Sequence, residues 1–513
     1  MKKYIVLIPT LLLFSISAEA TSRLVPADYS SVQEALDISK AGDTVVVDDG
    51  VYPGNLTWPQ VNGITLKSEN GKEATFLDGN HSGSVLTITG LSNSIVATID
   101  GFTIQNGLIY ATAANGYVAG GAGINVVNGV LVIKNCNLTS NRLVGDVSNF
   151  SYCIGAAINA ENSKITASNS SFTENTIDST YNVYGTVIYG GNTQMNLSSV
   201  TFQDNAATAF ASVQGGILAQ NTGKLVLKNA SFLQNEITVT DAGSISGGAC
   251  YLSGLGSGSF SNVLIGDNAL NTPYTVQGGG IWSSYSLSLM HCTIAGNHFV
   301  TGTGIGGNSV SLNDYLNTTP KLKIINSILW NAEGSPFELA FVGTPNVTYS
   351  DVYGGFSGTG NIADDPQFVS SSDFHLLGTS PCVNASAPVA SPPKDLEGNT
   401  RPMPAGTLAD LGALETNQAP RLENKSEVTY SGFEVYPNPV HGVASVEFEL
   451  KEDDEVVIDI IDLSGRIVKE VHASALSAGS QHISFSPDGL APGTYLVQAQ
   501  IGNNTLNQKI TID

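Results

Sequence analysis

The sequence predicts an all-β protein: a right-handed, single-stranded parallel β-helix, that is, a solenoid, followed by a small C-terminal β-sandwich. Three observations predict it. The phrase "NASFLQNE" (229–236) recurs as "NSSFTENT" and "SVTFQDNA", and more loosely as "NCNLTSNR", "NVLIGDNA", "HCTIAGNH" and "NSILWNAE". Aligned on their Asn, these phrases repeat roughly every 29 to 35 residues, the spacing of a solenoid coil. Between them apolar residues alternate in steps of two, as in Leu131 and Ile133, Leu225 and Leu227, and Leu287 and Leu289. Gly (55 residues) with Asn, Ser and Thr dominates while Lys and Arg total only 21, which suits short strands and tight turns better than surface helices.

Residues 1–20, "MKKYIVLIPTLLLFSISAEA", place two lysines before an apolar run and end in Ala-Glu-Ala, so they read as a signal peptide that exports the chain. No later run is long and apolar enough to be a transmembrane segment. Residues 21–100 form the N-terminal cap and first coils, with a short amphipathic helix at 32–39 and strands at 44–47, 64–67 and 75–77.

Residues 101–335 carry the repeats. The repeat Asn falls at Asn106, Asn141, Asn175, Asn205, Asn235, Asn268, Asn297 and Asn331, which predicts about eight coils spanning on the order of 40 Å. About seventeen residues upstream a second motif, G-x-x-[I/L/Y], recurs at 121–124, 155–158, 185–188, 215–218, 248–251 and 278–281. Chain reversals fall at Asn135, Asn169, Ser199, Asn229 and Asn262, mostly residues that tolerate left-handed geometry. Asn141, Asn175, Asn205, Asn235, Asn268, Asn297 and Asn331 are expected to stack as an internal amide ladder, and Phe172, Phe202 and Phe232 to stack in the core. Cys136 and Cys292 occupy equivalent places in two repeats and read as small buried hydrophobes; five cysteines in all do not suggest a disulfide framework.

Residues 336–415 close the solenoid, 416–431 are a polar linker, and 432–513 form an Ig-like β-sandwich, with alternation at Val446, Phe448 and Leu450 and again at Tyr495 and Val497.

Several stretches resemble known families. "GGAGI", "GAAI", "GGIL" and "GGAC" with "FTEN", "FQDN" and "FLQN" resemble the repeats of chlamydial polymorphic outer-membrane proteins, which implies a surface β-helix adhesin. "SVQEALDISKAGDTVVVDDGVYPGNLTW" looks like the opening of secreted pectate-lyase-like proteins. "YSDVYGG", "GTGNIADDPQF" and "DLGALE" resemble the closing segment called choice-of-anchor Q. "VYPNPV", "DLSGRIVK" and "GTYLVQAQIGNNTLNQKI" resemble the C-terminal sorting domain of type IX secretion in Bacteroidota, which implies handling by that machinery and a protein secreted or attached to the outer cell surface.

The net charge of −23 argues against nucleic acid as a partner. A polysaccharide lyase needs a cationic base, for which Arg142 is the one candidate; a glycosidase needs two facing carboxylates, and Glu174, Asp204 and Asp267 read instead as solvated. Asp364-Asp365 and Asp395 with Glu397 could supply calcium ligands but lack the spacing of a dedicated loop, so neither a metal nor another cofactor is expected. His291 and His298 read as turn residues. Between each Asn and the next Gly, loops of about nine to fourteen residues leave one corner, where solenoids often bind their ligands. They carry Tyr110, Tyr117, Phe150, Tyr152, Tyr181, Tyr184, Phe210 and Tyr274, candidates to stack on an extracellular glycan or anchor a host or matrix protein. The expectation is a non-catalytic, adhesin-like or glycan-binding surface protein; the alternative is a polysaccharide lyase or glycoside hydrolase.

Overall fold

The structure, a computed structural model, describes residues 20–512 apart from 91–94, 242, 302–303, 315–318, 332–336, 389–390, 417–429, 452, 463–465 and 502–503. The signal-peptide expectation and most of the linker lie outside the described residues.

The coils stack in parallel, in register, as a β-solenoid. Each complete coil has three faces in a 26-stranded sheet, and a fourth side in a separate 12-stranded sheet. In one coil the three faces are Ile124–Val127, Gly129–Lys134 and Asn137–Thr139; the fourth side is Arg142–Val144 with Tyr152–Ile154. Stacking extends beyond the Asn repeats, from Ser22–Val25 at one end to Asn346–Thr348 and Asp351–Val352 at the other.

Sequence dictates the corners. Asn135, Asn169, Ser199, Asn229, Asn262, His291 and Asn326 all hold φ between 49° and 53°, where Asn is tolerated because its side chain bonds locally. The sharpest corner uses Gly121, Gly155, Gly185, Gly215, Gly247, Gly278 and Gly307, at φ between 55° and 77°. At Gly155 a Cβ would strike the Ile158 carbonyl and the next coil, so space as well as φ demands glycine. One coil corrects the expected register: Gly247 rather than Gly248 turns the corner, and Cys250 rather than Tyr251 points inward, in line with Leu218 and Ile281.

The expected loops are a further departure. Most of their length is strand, as in Thr176–Tyr184 and Ala206–Gln214, pairing from coil to coil. Irregular pairing on both sides of Thr180 hides the alternation: Ile177, Thr180 and Val183 all point inward although each is three residues from the next. Thr180 is satisfied in the core by bonding the Ser151 carbonyl at 3.0 Å.

Inside, Phe172, Phe202 and Phe232 stack with centroids 4.8 and 4.6 Å apart. Beside them runs a chain of buried amides. Asn141 Nδ2 donates to Asn175 Oδ1 (3.1 Å), and the pattern repeats through Asn205, Asn235, Asn268 and Asn297 to Asn331, at 2.8 to 3.0 Å. Each Oδ1 also accepts the backbone N–H of the preceding Asn, and each amide also donates to a carbonyl one coil back. Asn106 stands outside this chain. The strand pairing aligns it with Ser140, and Gly107 N–H takes the terminal place, donating to Asn141 Oδ1 at 3.1 Å.

At the other end Glu338 receives the chain. Its Oε1 accepts Asn331 N–H (2.7 Å) and its Oε2 accepts Asn331 Nδ2 (3.0 Å), with Ser309 also bonded to it. Burial pushes this carboxyl up to about 7.

The first coil is covered by the helix Val32–Asp37, capped by Ser31, which buries Val32, Ala35 and Leu36. Beyond residue 352 the chain folds back along the third face, packing Phe374 and Leu414 on Leu264 and Ala295. A buried Arg401–Glu415 pair (3.1 Å) lies beneath it. All five cysteines are free and buried, and burial pushes Cys136 up to about 11 and Cys292 to about 12, so these thiols are inert packing groups. Described by itself, the C-terminal region is a small sandwich of a three-stranded and a four-stranded antiparallel sheet, with Val446, Phe448, Ile458 and Val497 in its core.

Candidate functional site

The aromatic residues expected to form one edge form two groups. The first lies in the middle of the fourth side: Phe150 meets Tyr181 edge-on at 4.7 Å, and Tyr181 tilts toward Phe210 at 5.7 Å. Phe150 is 63% exposed and held at φ 51°, ending a short 3-10 turn. One coil earlier its register partner is Gly116, also left-handed at φ 66°, followed by Tyr117 at φ 60°. Tyr110 is exposed in the strand Leu108–Tyr110, and exposed Tyr274 is separated from Phe210 by the coil between.

The second group lies across the glycine corner. Tyr152 stacks on Tyr184 at 6.1 Å, and Tyr184 meets Tyr189 edge-on at 6.5 Å. Tyr189 belongs to a row that the sequence reading missed. On the first face, Asn159, Tyr189, Ala219, Tyr251 and Trp282 are register partners in successive coils, alternating with inward residues. Tyr251 and Trp282 stack at 4.5 Å with planes 18° apart. Between Tyr189 and Tyr251 the row holds only the Ala219 methyl, which opens a notch about two coil spacings, or ~10 Å, from ring to ring.

That notch is a cavity of about 250 Å³ lined by Tyr184, Tyr189, Gln214, Ala219, Gln220, Asn221, Tyr251 and Ser253. The lining combines three aromatic rings with amide and hydroxyl groups and includes no Lys, Arg or His. Tyr189 is partly buried; burial, with the nearby charge of Glu161 adding to it, pushes its hydroxyl up to about 12. It is therefore a neutral group at physiological pH, able to donate as well as accept a hydrogen bond.

The catalytic candidates lie elsewhere. Arg142, more than half exposed, is paired with Asp178 at 2.7 Å in the second sheet, away from the notch lining. Glu174, Asp204 and Asp267 are left-handed corner residues at φ 54° to 55°; Asp267 accepts from Gln234 at 3.2 Å. His291 is a buried corner residue bonded to Ser391 (2.8 Å) and Asn326 (3.0 Å), and burial lowers it to about 3. His298 begins the strand His298–Thr301 and so is not a turn residue.

Two of the four calcium candidates are bonded to backbone. Asp395 accepts the N–H groups of Glu397, Asn399 and Glu415 at 2.8 to 3.0 Å, and Asp365 that of Gln367 at 2.9 Å. Among the described residues no group of three or more His, Cys, Asp or Glu is arranged to hold a metal ion.

A second cavity, about 490 Å³, lies where the returning segment meets the third face. Its rim holds His375 between Asp373 (2.6 Å to Nδ1) and Glu397 (3.2 Å to Nε2). Burial alone would lower this imidazole, but the bonds to the two carboxylates raise it, and with both ring nitrogens engaged it has no free atom to act as a base.

Comparison with known proteins assigns the tail. Residues 434–513 match the secretion system C-terminal sorting domain. No curated protein matches the chain. The chain is a β-solenoid protein handled by the type IX secretion machinery, for export or attachment to the cell surface. No described helix is long and apolar enough to cross a membrane.

Proposed function

We propose that the protein is a non-catalytic, glycan-binding protein of the cell exterior, and that the notch between Tyr189 and Tyr251 is its binding site. One observation carries this reading: Tyr251 is backed by Trp282 and faces Tyr189 across the space that Ala219 leaves, with Gln214, Asn221 and Ser253 at the rim. Aromatic faces take the apolar C–H side of a pyranose, and amides and hydroxyls take its edge. The spacing admits one ring between two aromatic walls. Chemistry on a glycan asks for more than this lining offers, since hydrolysis uses two carboxylates and lyase chemistry a cation beside a uronate.

The test is retention of the full-length protein on immobilised neutral and acidic polysaccharides, with product analysis for new reducing ends. Retention without cleavage, lost in Tyr251→Ala, is expected; cleavage, or retention indifferent to Tyr251→Ala, would overturn the reading.

The ridge Phe150–Tyr181–Phe210, exposed at Phe150 and half-buried at the other two rings, favours a second reading, adhesion to a protein surface. It predicts that Phe150→Ala, not Tyr251→Ala, weakens attachment to protein-coated surfaces.

A further inference from the structure

Resting on that glycan-binding reading, we infer that Glu161 is the specificity residue of the notch, accepting a pair of adjacent hydroxyls from a neutral pyranose and turning uronates away. Glu161 ends the strand Ile158–Glu161, and its register partners in the next three coils are Gly191, Asn221 and Ser253. The last two line the notch. Gly191 is bare, and the Glu161 carboxylate leans over it, so closely that a Cβ there would collide with Oε1 and Oε2. Glu161 thus reaches along the row toward Asn221, on the side where its charge is felt by the Tyr189 hydroxyl.

Among the described residues this carboxylate has no hydrogen-bond or ion-pair partner. It is nevertheless half-buried, and burial alone raises its pKa. A desolvated, unpartnered carboxylate costs free energy that structure alone would not retain, since Gln would fill the same space without the charge. Its value lies in what it can accept. Two oxygens with about four lone-pair sites can take two O–H donors side by side, the pattern that adjacent ring hydroxyls present. The Tyr189 ring beside it supplies the apolar surface for the same sugar. A uronate would bring a second carboxylate toward Glu161 in a notch whose lining includes no cation, and like charges brought together disfavour the wrong partner.

The experiment is affinity electrophoresis of the full-length protein through gels containing a neutral glucomannan, polygalacturonate or chitosan, for wild type, Glu161→Gln and Tyr251→Ala. Wild type is expected to be retarded by glucomannan and not by polygalacturonate. In Glu161→Gln that affinity should fall about tenfold or more, as when a charge-assisted hydrogen bond is lost, and polygalacturonate should begin to retard the protein. Thermal unfolding of Glu161→Gln should be unchanged or slightly raised, which separates loss of recognition from damage to the fold.

Unchanged glucomannan affinity in Glu161→Gln, with binding still abolished in Tyr251→Ala, would overturn the role of Glu161 and leave the notch standing. Wild-type retardation by chitosan or polygalacturonate alone would overturn the hydroxyl assignment. Retardation by none of the three would overturn both the inference and the reading it rests on.

Discussion

Every full coil turns one corner at the amide ladder and another at the left-handed glycine, and the two corners use repetition in opposite ways. At the ladder the same side chain returns in each coil from Asn141 to Asn331, so each amide finds its partner in the next copy and nothing is left over for a ligand. At the glycine corner the backbone repeats while its neighbours change through Asn159, Tyr189, Ala219, Tyr251 and Trp282. A repeated polar residue stabilises because it is satisfied from within. A row that breaks its own pattern leaves space and unmatched groups, and that is where a binding surface can form.

The comparison can be broken hardest in the middle of the ladder. Asn205→Ala would strand Asn175 N–H in the core and take one bond each from Asn175 Nδ2, Asn235 Oδ1 and the Phe172 carbonyl, at an expected cost of about 3–6 kcal/mol, to be measured by urea unfolding. Phe202→Ala, in the stacked core beside it, should cost about 3–5 kcal/mol in the same experiment, through lost transfer and cavity terms without unpaired polar groups.

The ladder's end is sensitive to pH. Glu338 has a folded pKa of about 7 against an ordinary 4.5, so the native state holds a proton that the unfolded chain releases. Stability should therefore fall as pH rises from about 4.5 to 7, with the loss complete above about 7, a contribution on the order of 3 kcal/mol. Asp410 and Glu415, raised to about 6 and 7, act in the same direction, so Glu338→Gln should flatten the pH dependence of the unfolding midpoint without abolishing it.

At the glycine corner the smallest change in stability should accompany a complete change in function. Ala219 is only 1% exposed, at the floor of the notch, so Ala219→Tyr should cost about 1–3 kcal/mol through crowding and should abolish glycan retention by filling the notch.

Much of the solenoid could be read from the sequence because coil stacking turns contacts between successive coils into a period in the chain. The ladder Asn and core Phe recur at nearly constant spacing, and the corner Asn betray their left-handed turns by residue type. The fourth side was obscured because the irregular pairing on both sides of Thr180 shifts its alternation out of phase. The notch was missed for a related reason: counting from Gly248 rather than Gly247 placed Tyr251 inside the coil, where it could not be seen as the outward neighbour of Trp282. Glu338 was invisible for a different cause. It joins the ladder through space from a coil that lacks the repeat, and no period announces it. Of the expected aromatic edge only Tyr184 lines the notch, because a sequence counts aromatic residues but does not show the gap between them.

The exact register between coils also makes the solenoid a ruler. Tyr189 and Ala219 are 30 residues apart and share one place in the coil. Excising residues 190–219 would join Tyr189 to Gln220 with the pairing of every later rung preserved, and would set Tyr189 directly on Tyr251. Duplicating that stretch would instead move the two walls apart by one further spacing of about 4.8 Å. The width of such a site can change only in whole coils, so lineages that gain or lose a repeat would step between discrete ligand sizes and have no intermediate to pass through.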